Sequence, residues 1–545
     1  MASRLVTGPA GGSLMACLIA LLVCWNTPAM ADQTPADRPG TVYYVSPQGD
    51  DTGPGTSPRE AFRSIARAVR GVAAGDTIRL MPGEYCEAVA LSESGTPEAP
   101  ITITRHGQGE VVWTMREPAG SRWEDNFALN LRDRSHVVVS GITFRDCIAW
   151  IFMWDTDHCT VRDCVFDGAR IYNCLRISDS SYNRILDCDF RRALPYVPNE
   201  KGVPKQGADY IEIFHNSHHN LVQGCTFGEI PHVAVIVSPH KPGFSPSHNI
   251  IRNCVFTDPR WKCIGLHAAP HTLVENCVMR GNAAVFLQFE SSKDIIRRNL
   301  FVQYRDSVGD DPAFRGTIRI ASTKDSGADC DAHHNRIYNN VFADNERTIT
   351  SYAARYPMTG NVFLNNIFWN NRQTIWLCQP DYTTASRNYF FSNVLCGTAP
   401  GQKVIGLASD TFTLAEAEQK MPDLYRANTE ADPRFVDAEG GDYRLRPDSP
   451  CIDAATDLTH TAAAGSGAEV AVEDALYFCD GFGLIDGDMV VVGKNEPARV
   501  LAVDYDANVL ALDRSIAWEK GDPVNLPYSG SGPDIGCYEA GREAP

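Results

Sequence analysis

A six-residue motif recurs along most of the chain and constrains the fold more than any other feature. It consists of an apolar residue, two further residues, Cys or Asn, one residue, and then Phe or Met, and its shortest spacings are 22 to 24 residues. Such a period indicates a solenoid, and the alternating β-branched and aromatic residues predict strands. The copies are VRDCVF (161–166), ILDCDF (185–190), VQGCTF (222–227), IRNCVF (251–256), VENCVM (274–279), IRRNLF (296–301), IYNNVF (337–342) and FLNNIF (363–368), with a looser VSGITF at 139–144.

A second predicted strand precedes each copy of the motif. This arrangement is typical of an all-β fold, the right-handed parallel β-helix. Between about Thr41 and Ala454 the chain resembles exported proteins of the pectin-lyase-like superfamily, which includes polysaccharide lyases and glycoside hydrolases. The resemblance implies the fold and a carbohydrate substrate. The second strands are LNLR (129–132), WIFMW (150–154), CLRIS (174–178), YIEIF (210–214), AVIVS (234–238), CIGLH (263–267), VFLQF (285–289) and TIRIA (317–321).

The fourth residue of the motif predicts an internal ladder. Equivalent residues on successive turns of a β-helix stack at about 4.8 Å, whereas a disulfide requires sulfur atoms about 2 Å apart. We therefore expect buried free thiols followed by buried asparagines. The predicted ladder is Cys164, Cys188, Cys225, Cys254, Cys277, Asn299, Asn340 and Asn366.

The two ends of the solenoid have their own signals. The stretch TSPREAFRSIARAVRGV (56–72) predicts one helix, with Ser57 as N-cap, Pro58 at its first position and Glu60 completing a capping box. We expect this helix to cover the open N-terminal end, whose strand edges would otherwise be exposed. The predicted divisions are 32–125 for the cap and first turns, 126–458 for the β-helix and closing segment, 459–530 for an inserted small β-domain, and 531–545 for a last closing segment.

The first 31 residues predict a signal peptide and a secreted or periplasmic protein. Arg4 precedes an apolar segment (14–25), and AMA (29–31) provides a small-x-small cleavage site after Ala31. No later segment approaches the length needed to span a bilayer. The formal net charge of −18 argues against nucleic acid as a partner. We expect a monomer that acts on a polysaccharide.

The histidines fall into two groups. Counting back eight residues from the end of each motif finds one repeated turn position, which indicates architecture and not chemistry; His218 and His333 lie one residue earlier. The residues at this position are His136, His158, Tyr182, His219, His248, His271, Lys293 and His334. The histidines outside this position concentrate in the middle turns, at His215, His232, His240 and His267.

Side-chain alternation on the second strands predicts one face that points away from the core. On YIEIF, Ile211 and Ile213 face inward, so Tyr210 and Glu212 face outward, with His215 at the strand end. We expect long loops at 191–207, 239–247, 306–316 and 323–332 to wall a groove over this face. The predicted outward strip comprises Trp150, Trp154, Arg176, Tyr210, Glu212, His215, Lys241, His267, Gln288 and Arg319, with His240 and Glu290 beside it.

These residue types suit β-elimination on an acidic, uronate-containing polysaccharide. The reaction needs a base, a cation that neutralises the uronate carboxylate, and a proton donor for the leaving oxygen. We predict His215 or His267 as the base, and Arg176, Lys241 or Arg319 as the neutralising cation. Glu212 would orient a histidine or coordinate a cation. The predicted substrate-binding residues are Trp150, Trp154, Tyr210, His240, Gln288, Glu290 and Arg319.

Other functions stay open at this stage. A glycoside hydrolase would use Glu212 with Asp179 as its acid pair, and an epimerase would share the proton abstraction. A glycan-binding protein would need no histidine base. A metalloenzyme would require several of His215, His240, His267 and Glu212 to converge on one ion. No metal site is assigned; the acidic stretches GADCD (327–331) and GDD (309–311) could bind calcium, but their composition favours plain acidic loops.

Overall fold

The chain winds into a parallel β-helix with three sheets. The structure is a computed structural model that describes residues 40–195, 197–198, 204–283, 285–306, 316–323, 330–352, 358–377, 387–397, 401–407 and 410–541. All of these belong to one compact unit, Pro39–Pro545. The predicted signal peptide lies outside the described residues and stays a prediction. Across the described ranges, no helix has the length and apolar character needed to cross a membrane.

Each sheet takes one strand from every turn of the chain, and nearly all strand pairs are parallel. Sheet 1 contains Val42–Val45, Thr77–Leu80, Ile101–Arg105, Val137–Ser140, Thr160–Arg162, Arg184–Leu186, Leu221–Gln223, Ile250–Arg252, Leu273–Glu275, Ile295–Arg297, Arg336–Tyr338, Val362–Leu364, Tyr389–Phe391 and Tyr425–Arg426. Sheet 2 contains Gly83–Cys86, Val111–Thr114, Thr143–Cys147, Val165–Ala169, Asp189–Arg191, Thr226–Phe227, Val255–Thr257, Val278–Ala283, Leu300–Asp306, Val341–Ala343, Ile367–Trp369, Val394–Cys396 and Thr429–Glu430.

Sheet 3 carries the face on which the site lies. Its last strand and the short strand Cys330–Asp331 pair antiparallel with their neighbours, and its other pairs are parallel. It contains Val89–Ala90, Phe127–Asn130, Ala149–Trp154, Asn173–Ser178, Asp209–Phe214, Val233–Ser238, Lys262–His267, Val285–Glu290, Gly316–Thr323, Ile349–Tyr352, Ile375–Leu377, Ile405–Leu407 and Asp410–Phe412.

The all-β, parallel β-helix fold predicted from the repeat is confirmed. One detail differs, because the recurring motif forms two short strands and not one. In VRDCVF, Thr160–Arg162 belongs to sheet 1 and Val165–Ala169 to sheet 2. Asp163 lies between them with a φ of 54°. A left-handed residue bends the chain sharply, and Asp tolerates that conformation better than most residues. Each turn therefore has three strands.

The predicted internal ladder is present. Its five cysteines are buried and free. Beyond them the asparagines bond from turn to turn: the Asn299 backbone N–H donates to Oδ1 of Asn340 over 2.9 Å, and that of Asn340 donates to Oδ1 of Asn366 over 2.9 Å. The ladder continues through Asn393 and Asn428. Each buried amide thus satisfies backbone groups that would otherwise lack partners at the bend.

The repeated turn position is also architectural, as predicted. All eight of its residues have φ between 53° and 59°. The rings from His136 to His271 form a column, with centroids of His219 and His248 5.1 Å apart and those of His248 and His271 4.9 Å apart. This separates these histidines from the chemistry on sheet 3.

The single N-terminal helix predicted over 56–72 is wrong. A 3-10 helix covers Pro58–Glu60, and the α-helix α1 covers Ile65–Val69 with Ser64 as its N-cap. Phe62 interrupts them, because it is buried in the core and its backbone bonds to Tyr44 and Ser46 in extended form. Ile65, Ala68 and Val69 of α1 are buried in the core cluster, and the role of α1 as a cover for the N-terminal end stays a prediction.

A separate antiparallel sheet lies within the region predicted as an inserted β-domain. Its strands are Thr459–His460, Gly465–Ala471, Met489–Val492, Ala498–Asp504, Val509–Trp518 and Pro523–Asn525. It packs on sheet 1 through a shared apolar cluster that includes Tyr338, Leu273 and Phe478. The remaining elements are the helix α2 (Leu414–Lys420), the 3-10 helices Trp123–Asn126, Ala475–Tyr477 and Gly481–Gly483, and the hairpins Val197–Pro198 with Pro204–Gln206 and Phe435–Asp437 with Asp442–Leu445.

Candidate active site

The register of sheet 3 places most of the predicted strip on its outer face. Arg176 pairs with Glu212, and Glu212 pairs with Ile236. Two strands further on, Gly265 pairs with Gln288, and Gln288 with Arg319. These residues form one row along the solenoid axis, because parallel strands keep equivalent side chains on the same face. The row is nevertheless buried: Arg176 is 8% exposed and Glu212 is 1% exposed.

The prediction that Trp150 and Tyr210 face outward is wrong. Both are fully buried in the core. The strand pairing skips the position that they share, so the second and third residues of each strand both face inward before alternation sets in. Each polar tip has a backbone partner inside: Trp150 Nε1 donates to Gly168 over 3.1 Å, and the Tyr210 hydroxyl donates to the carbonyl of Gly228 over 2.9 Å. Neither side chain is available to a substrate.

A cleft of about 280 Å³ opens on the N-terminal half of this face. We call it the His215 cleft. It brings together five of the predicted residues, namely Trp154, Arg176, His215, His240 and Lys241. The described residues that line it are Trp123, Glu124, Arg132, Phe152, Trp154, Arg176, His215, His240 and Lys241.

His215 lines the cleft and is held by a carboxylate from the neighbouring turn. It follows the strand Asp209–Phe214, where a φ of 61° turns its side chain back over the sheet. Its Nδ1 lies 3.1 Å from Oδ2 of Asp179 on the neighbouring turn. Its Nε2 is buried and has no hydrogen-bond partner among the described residues. Burial lowers the pKa of His215, and Asp179 opposes that shift. The imidazole is therefore neutral near pH 7 and presents a basic nitrogen.

Arg176 lies at the centre of the cleft among aromatic rings. Its guanidinium carbon is 5.0 Å from the ring centroids of Trp123 and Phe214, and its Nε donates to Oγ of Ser178 over 2.9 Å. Burial lowers the pKa of Arg176 while Glu212 raises it, but a guanidinium stays charged in proteins. Aromatic faces stabilise the cation and fix its plane.

Glu212 lies behind Arg176 and does not belong to the described lining of the cleft. Its Oε2 is 3.5 Å from Nη1 of Arg176, and Asn173 Nδ2 donates to its Oε1. Burial raises the pKa of Glu212 to about 8, and the nearby Asp209 adds to this effect. At neutral pH the carboxyl of Glu212 holds its proton, so the charged carboxylate that acts on Arg176 is that of Asp179, at the end of the same strand.

The cleft is locally cationic although the chain is strongly acidic. Arg132, Arg176 and Lys241 border it, and Glu124 is the carboxylate in its described lining. Glu124 lies 3.4 Å from Nη1 of Arg132. Of the other two cations, Arg176 also feels the Asp179 carboxylate, and Lys241 is exposed on the 239–247 loop. A cleft of this kind favours an anionic ligand.

The remaining predicted residues form a second cluster further along the sheet. His267 Nδ1 lies 3.3 Å from Oε2 of Glu290. Gln288 donates to Oε1 of Glu290, and Arg319 Nη1 donates to Oε1 of Gln288 over 3.2 Å. The His267 ring lies over Gly265, which has no β-carbon. A β-carbon at position 265 would lie 3.2 Å from Nε2 of His267. The structure thus divides the predicted strip into two separate clusters.

The other expected features of the site have different outcomes. No group of three or more His, Cys, Asp or Glu side chains within the described ranges is arranged to hold a metal ion. The two acidic stretches considered for calcium, 309–311 and 327–331, lie outside the residues described with their side chains. Of the predicted loop walls, 239–247 borders the cleft, whereas most of 306–316 and 323–332 lies outside the described residues.

Sequence reasoning missed Phe152 and Glu124 in the lining of the cleft. It also missed Trp123, Arg132 and Phe244. Trp123 and Arg132 come from turns before the outward strip, and Phe244 comes from a loop. None of them follows the strand alternation that identified the others. Phe244 is found only through its contact with His215, at a ring-centroid distance of 4.7 Å. The signal available in the sequence was the length of the 239–247 loop itself.

Comparison with curated proteins finds two partial relatives, and no protein-family model matches the chain. An uncharacterized protein, YwoF of Bacillus subtilis (strain 168), is 32% identical over 117 residues, which are 21% of this chain and 25% of that protein. The alpha-1,3-galactosidase A of Akkermansia muciniphila is 42% identical over 64 residues, 11% of each chain. The chain thus spans a quarter or less of the length of either relative.

Comparison with solved structures finds carbohydrate-active enzymes at low sequence identity. Pectate lyase Pel9A superposes with a TM-score of 0.45 at 16% identity, covering 92% of this chain and 97% of that chain. The GH136 lacto-N-biosidase from Eubacterium ramulus gives a TM-score of 0.40 at 13% identity, covering 66% of this chain and 64% of that chain. From its three stacked sheets and its repeat, the chain is a parallel β-helix protein.

Proposed function

We propose that this protein is an exported polysaccharide lyase that cleaves a uronate-containing polysaccharide by β-elimination at the His215 cleft. The observation that supports this most directly is the state of the His215 ring. Its Nε2 is buried and has no partner among the described residues, while its Nδ1 is paired with the carboxylate of Asp179. A histidine in this arrangement accepts a proton from a bound substrate. The substrate class is supported by the cationic lining, since a uronate carries one carboxylate on each sugar.

The chemistry can be assigned to residues of the cleft. His215 Nε2 takes the proton from the carbon next to the uronate carboxylate. The released electron pair forms a carbon–carbon double bond, and the glycosidic carbon–oxygen bond breaks. Lys241, an exposed ammonium at the cleft, gives its proton to the leaving oxygen. Arg176 neutralises the carboxylate, whose charge grows as the proton leaves, and Lys241 adds to the positive field until it gives up its proton. Glu212 is a positioning residue that supports Arg176 from behind.

The binding role is divided between the two clusters. In the His215 cleft, Trp154 offers a half-buried ring beside His215, at a centroid distance of 5.2 Å, and His240 lies next to it. Aromatic faces of this kind stack on sugar rings. His267, Gln288, Glu290 and Arg319 stay predicted as contacts for a further part of the substrate. Their mutual hydrogen bonds keep them ordered before any ligand arrives.

The test measures ultraviolet absorbance of the unsaturated uronate that β-elimination creates. The purified protein is incubated with alginate, pectate, glycosaminoglycans and ulvan. We expect a rise with at least one of them, and its loss in His215→Asn. The matched control is His219→Asn: both histidines have left-handed backbones, with φ of 61° and 56°, and Asn tolerates that conformation. No rise with any of the polymers, or equal rates in both variants, contradicts the proposal.

One observation favours a glycoside hydrolase as the alternative. The Glu212 carboxyl holds its proton at neutral pH, as a general acid must, and Asp179 lies on the adjacent turn. New reducing ends without an absorbance rise, abolished by Glu212→Gln, would establish that reaction instead. Binding of a glycan without either product would indicate a binding protein.

A further inference from the structure

One end of the His215 cleft is closed by an aromatic wall. The 3-10 helix Trp123–Asn126 precedes the sheet 3 strand Phe127–Asn130 and lays the Trp123 ring on the sheet. The ring centroid lies 4.9 Å from that of Phe127 and 5.3 Å from that of Phe152. The guanidinium of Arg176 packs on its other side, 5.0 Å from the centroid. Trp123 therefore fills the sheet face on the N-terminal side of the catalytic groups.

The other end is closed by the 239–247 loop. His240 stacks on Phe214 with ring centroids 5.1 Å apart and an interplanar angle of 11°. Phe244 covers His215 at a centroid distance of 4.7 Å. The loop therefore crosses the outer face between His215 and the second cluster around Glu290.

This second wall is tied to the catalytic dyad. The Ser245 backbone N–H donates to Oδ1 of Asn216 over 3.2 Å. The backbone N–H of Asn216 donates in turn to Oδ1 of Asp179 over 3.4 Å. The carboxylate that orients His215 thus also anchors the residue that holds the loop. The wall is part of the site's framework, because loosening it would disturb Asp179.

The distance between the walls limits what the cleft can hold. The floor of the cleft crosses three neighbouring strands, which carry Phe152, Arg176 and His215. Three strands are separated by two strand spacings, so the floor is about 10 Å wide. The cleft between the two walls has a volume of about 280 Å³. A polysaccharide lying along the solenoid axis would meet Trp123 on one side and the His240–Phe244 wall on the other.

We propose that the cleft takes the end of an anionic saccharide chain and not an internal stretch. This inference rests on the proposed function and specifies its substrate: short oligouronates and chain termini, whose sugars enter the pocket from its open side. The cations at Arg176 and Lys241 would hold the carboxylate of the terminal part of the chain. Cleavage then releases short products one after another from a chain end.

The experiment follows product length during digestion of the polymer that gives an absorbance rise. We expect short products from the earliest time point while the remaining polymer shortens only slowly. Phe244→Ala removes part of one wall and is expected to increase intermediate-length products several-fold relative to short ones. Trp123→Ala tests the other wall. Tyr172→Ala is the control, since Tyr172 is an aromatic residue, 39% exposed, outside the described lining.

The outcomes separate the two proposals. A broad range of lengths at the earliest time point from the unaltered protein would overturn the chain-end inference while leaving the lyase reaction in place. So would unchanged product lengths in both folded wall variants. An absence of unsaturated product from both polymers and short oligouronates would instead count against the proposed function itself.

Discussion

Oδ2 of Asp179 lies 3.1 Å from Nδ1 of His215, across one turn of the solenoid. The two residues are 36 positions apart in the chain, and each has a left-handed backbone at the end of its strand, with φ of 48° and 61°. The pairing selects the tautomer that carries its proton on Nδ1, which leaves the lone pair on Nε2, a buried atom without a partner among the described residues. A ring nitrogen becomes a directed base when a carboxylate holds the other nitrogen.

Replacing Asp179 by Asn should impair the base without removing it. Asp179 raises the pKa of His215 against the effect of burial, so Asp179→Asn lowers that pKa. We expect the acidic limb of the kcat/KM profile to move to lower pH, and the rate at its plateau to fall about 100-fold or more. Steady-state rates across a pH series measure both effects. A profile that does not move would show that Asp179 does not act through His215.

The titration of Glu212 should make KM depend on pH on the alkaline side of neutrality. Burial raises the pKa of Glu212 to about 8. Above that pH the carboxyl loses its proton and becomes a charged partner for Arg176, so we expect KM for an anionic substrate to rise. Glu212→Gln removes the titration and should keep KM constant through the same range. If KM still rises in that variant, another group is responsible.

Replacing the cations of the cleft should lower kcat/KM, because they contact the substrate carboxylate. Arg176→Lys keeps a charge but loses the planar group between Trp123 and Phe214. Loss of a charged hydrogen bond is worth about 1.5–3 kcal/mol, so Lys241→Ala and Arg176→Lys should each lower kcat/KM by about 10- to 100-fold. KM should also rise with added salt, because salt screens the attraction. A salt-independent KM would contradict an anionic substrate.

The C-terminal sheet should depend on one buried arginine. Nη2 of Arg297 lies 2.7 Å from Oε2 of Glu275 and 2.6 Å from Oδ1 of Asp488. Arg297→Met removes the cation that Asp488 and Glu275 share and leaves Glu275 with Arg252 alone, 3.1 Å away, at a cost of about 3–5 kcal/mol. We expect a lower Tm and faster proteolysis between the solenoid and the sheet. Arg499→Ala is the control, since its ion pair with Asp486 is largely exposed. Equal Tm values for the two variants would contradict the prediction.

The histidine column should make the protein sensitive to acid. Burial lowers the pKa of His219 and His271 to about 4, whereas an unfolded histidine titrates near 6.5. Between these values the unfolded chain binds more protons, so stability falls as pH drops from about 6.5 to about 4. His219→Asn keeps the left-handed turn and removes one titrating ring, which should flatten the dependence of Tm on pH. An unchanged slope would show that His219 does not contribute.

Much of the fold was predictable because the β-helix repeats one local pattern. The spacing of the motif, the Cys and Asn ladder and the left-handed histidine turns all follow from residues on a single turn. The failures have equally local causes. The helix over 56–72 was interrupted because Phe62 is needed in the core. Trp150 and Tyr210 face inward because the strand pairing skips their position, which interrupts the alternation of side chains near the start of each strand.

The site was predictable only in part. Alternation on the strands correctly indicated that Arg176, Glu212, His267 and Gln288 share an outer face. It did not show that Glu212 lies behind Arg176, or that His267 and His215 belong to different clusters. Both depend on how loops cover the face.

The sequence by itself therefore determined the winding of the chain, the stacking of its turns and the face that carries the chemistry. Those features arise from side-chain alternation and from a period close to one turn, which neighbouring residues encode. Only the tertiary structure decided which outward residues meet in a cleft. That decision depends on Trp123 and Phe244, which come from irregular segments on distant turns and reach Arg176 and His215 through contacts that no periodic pattern encodes.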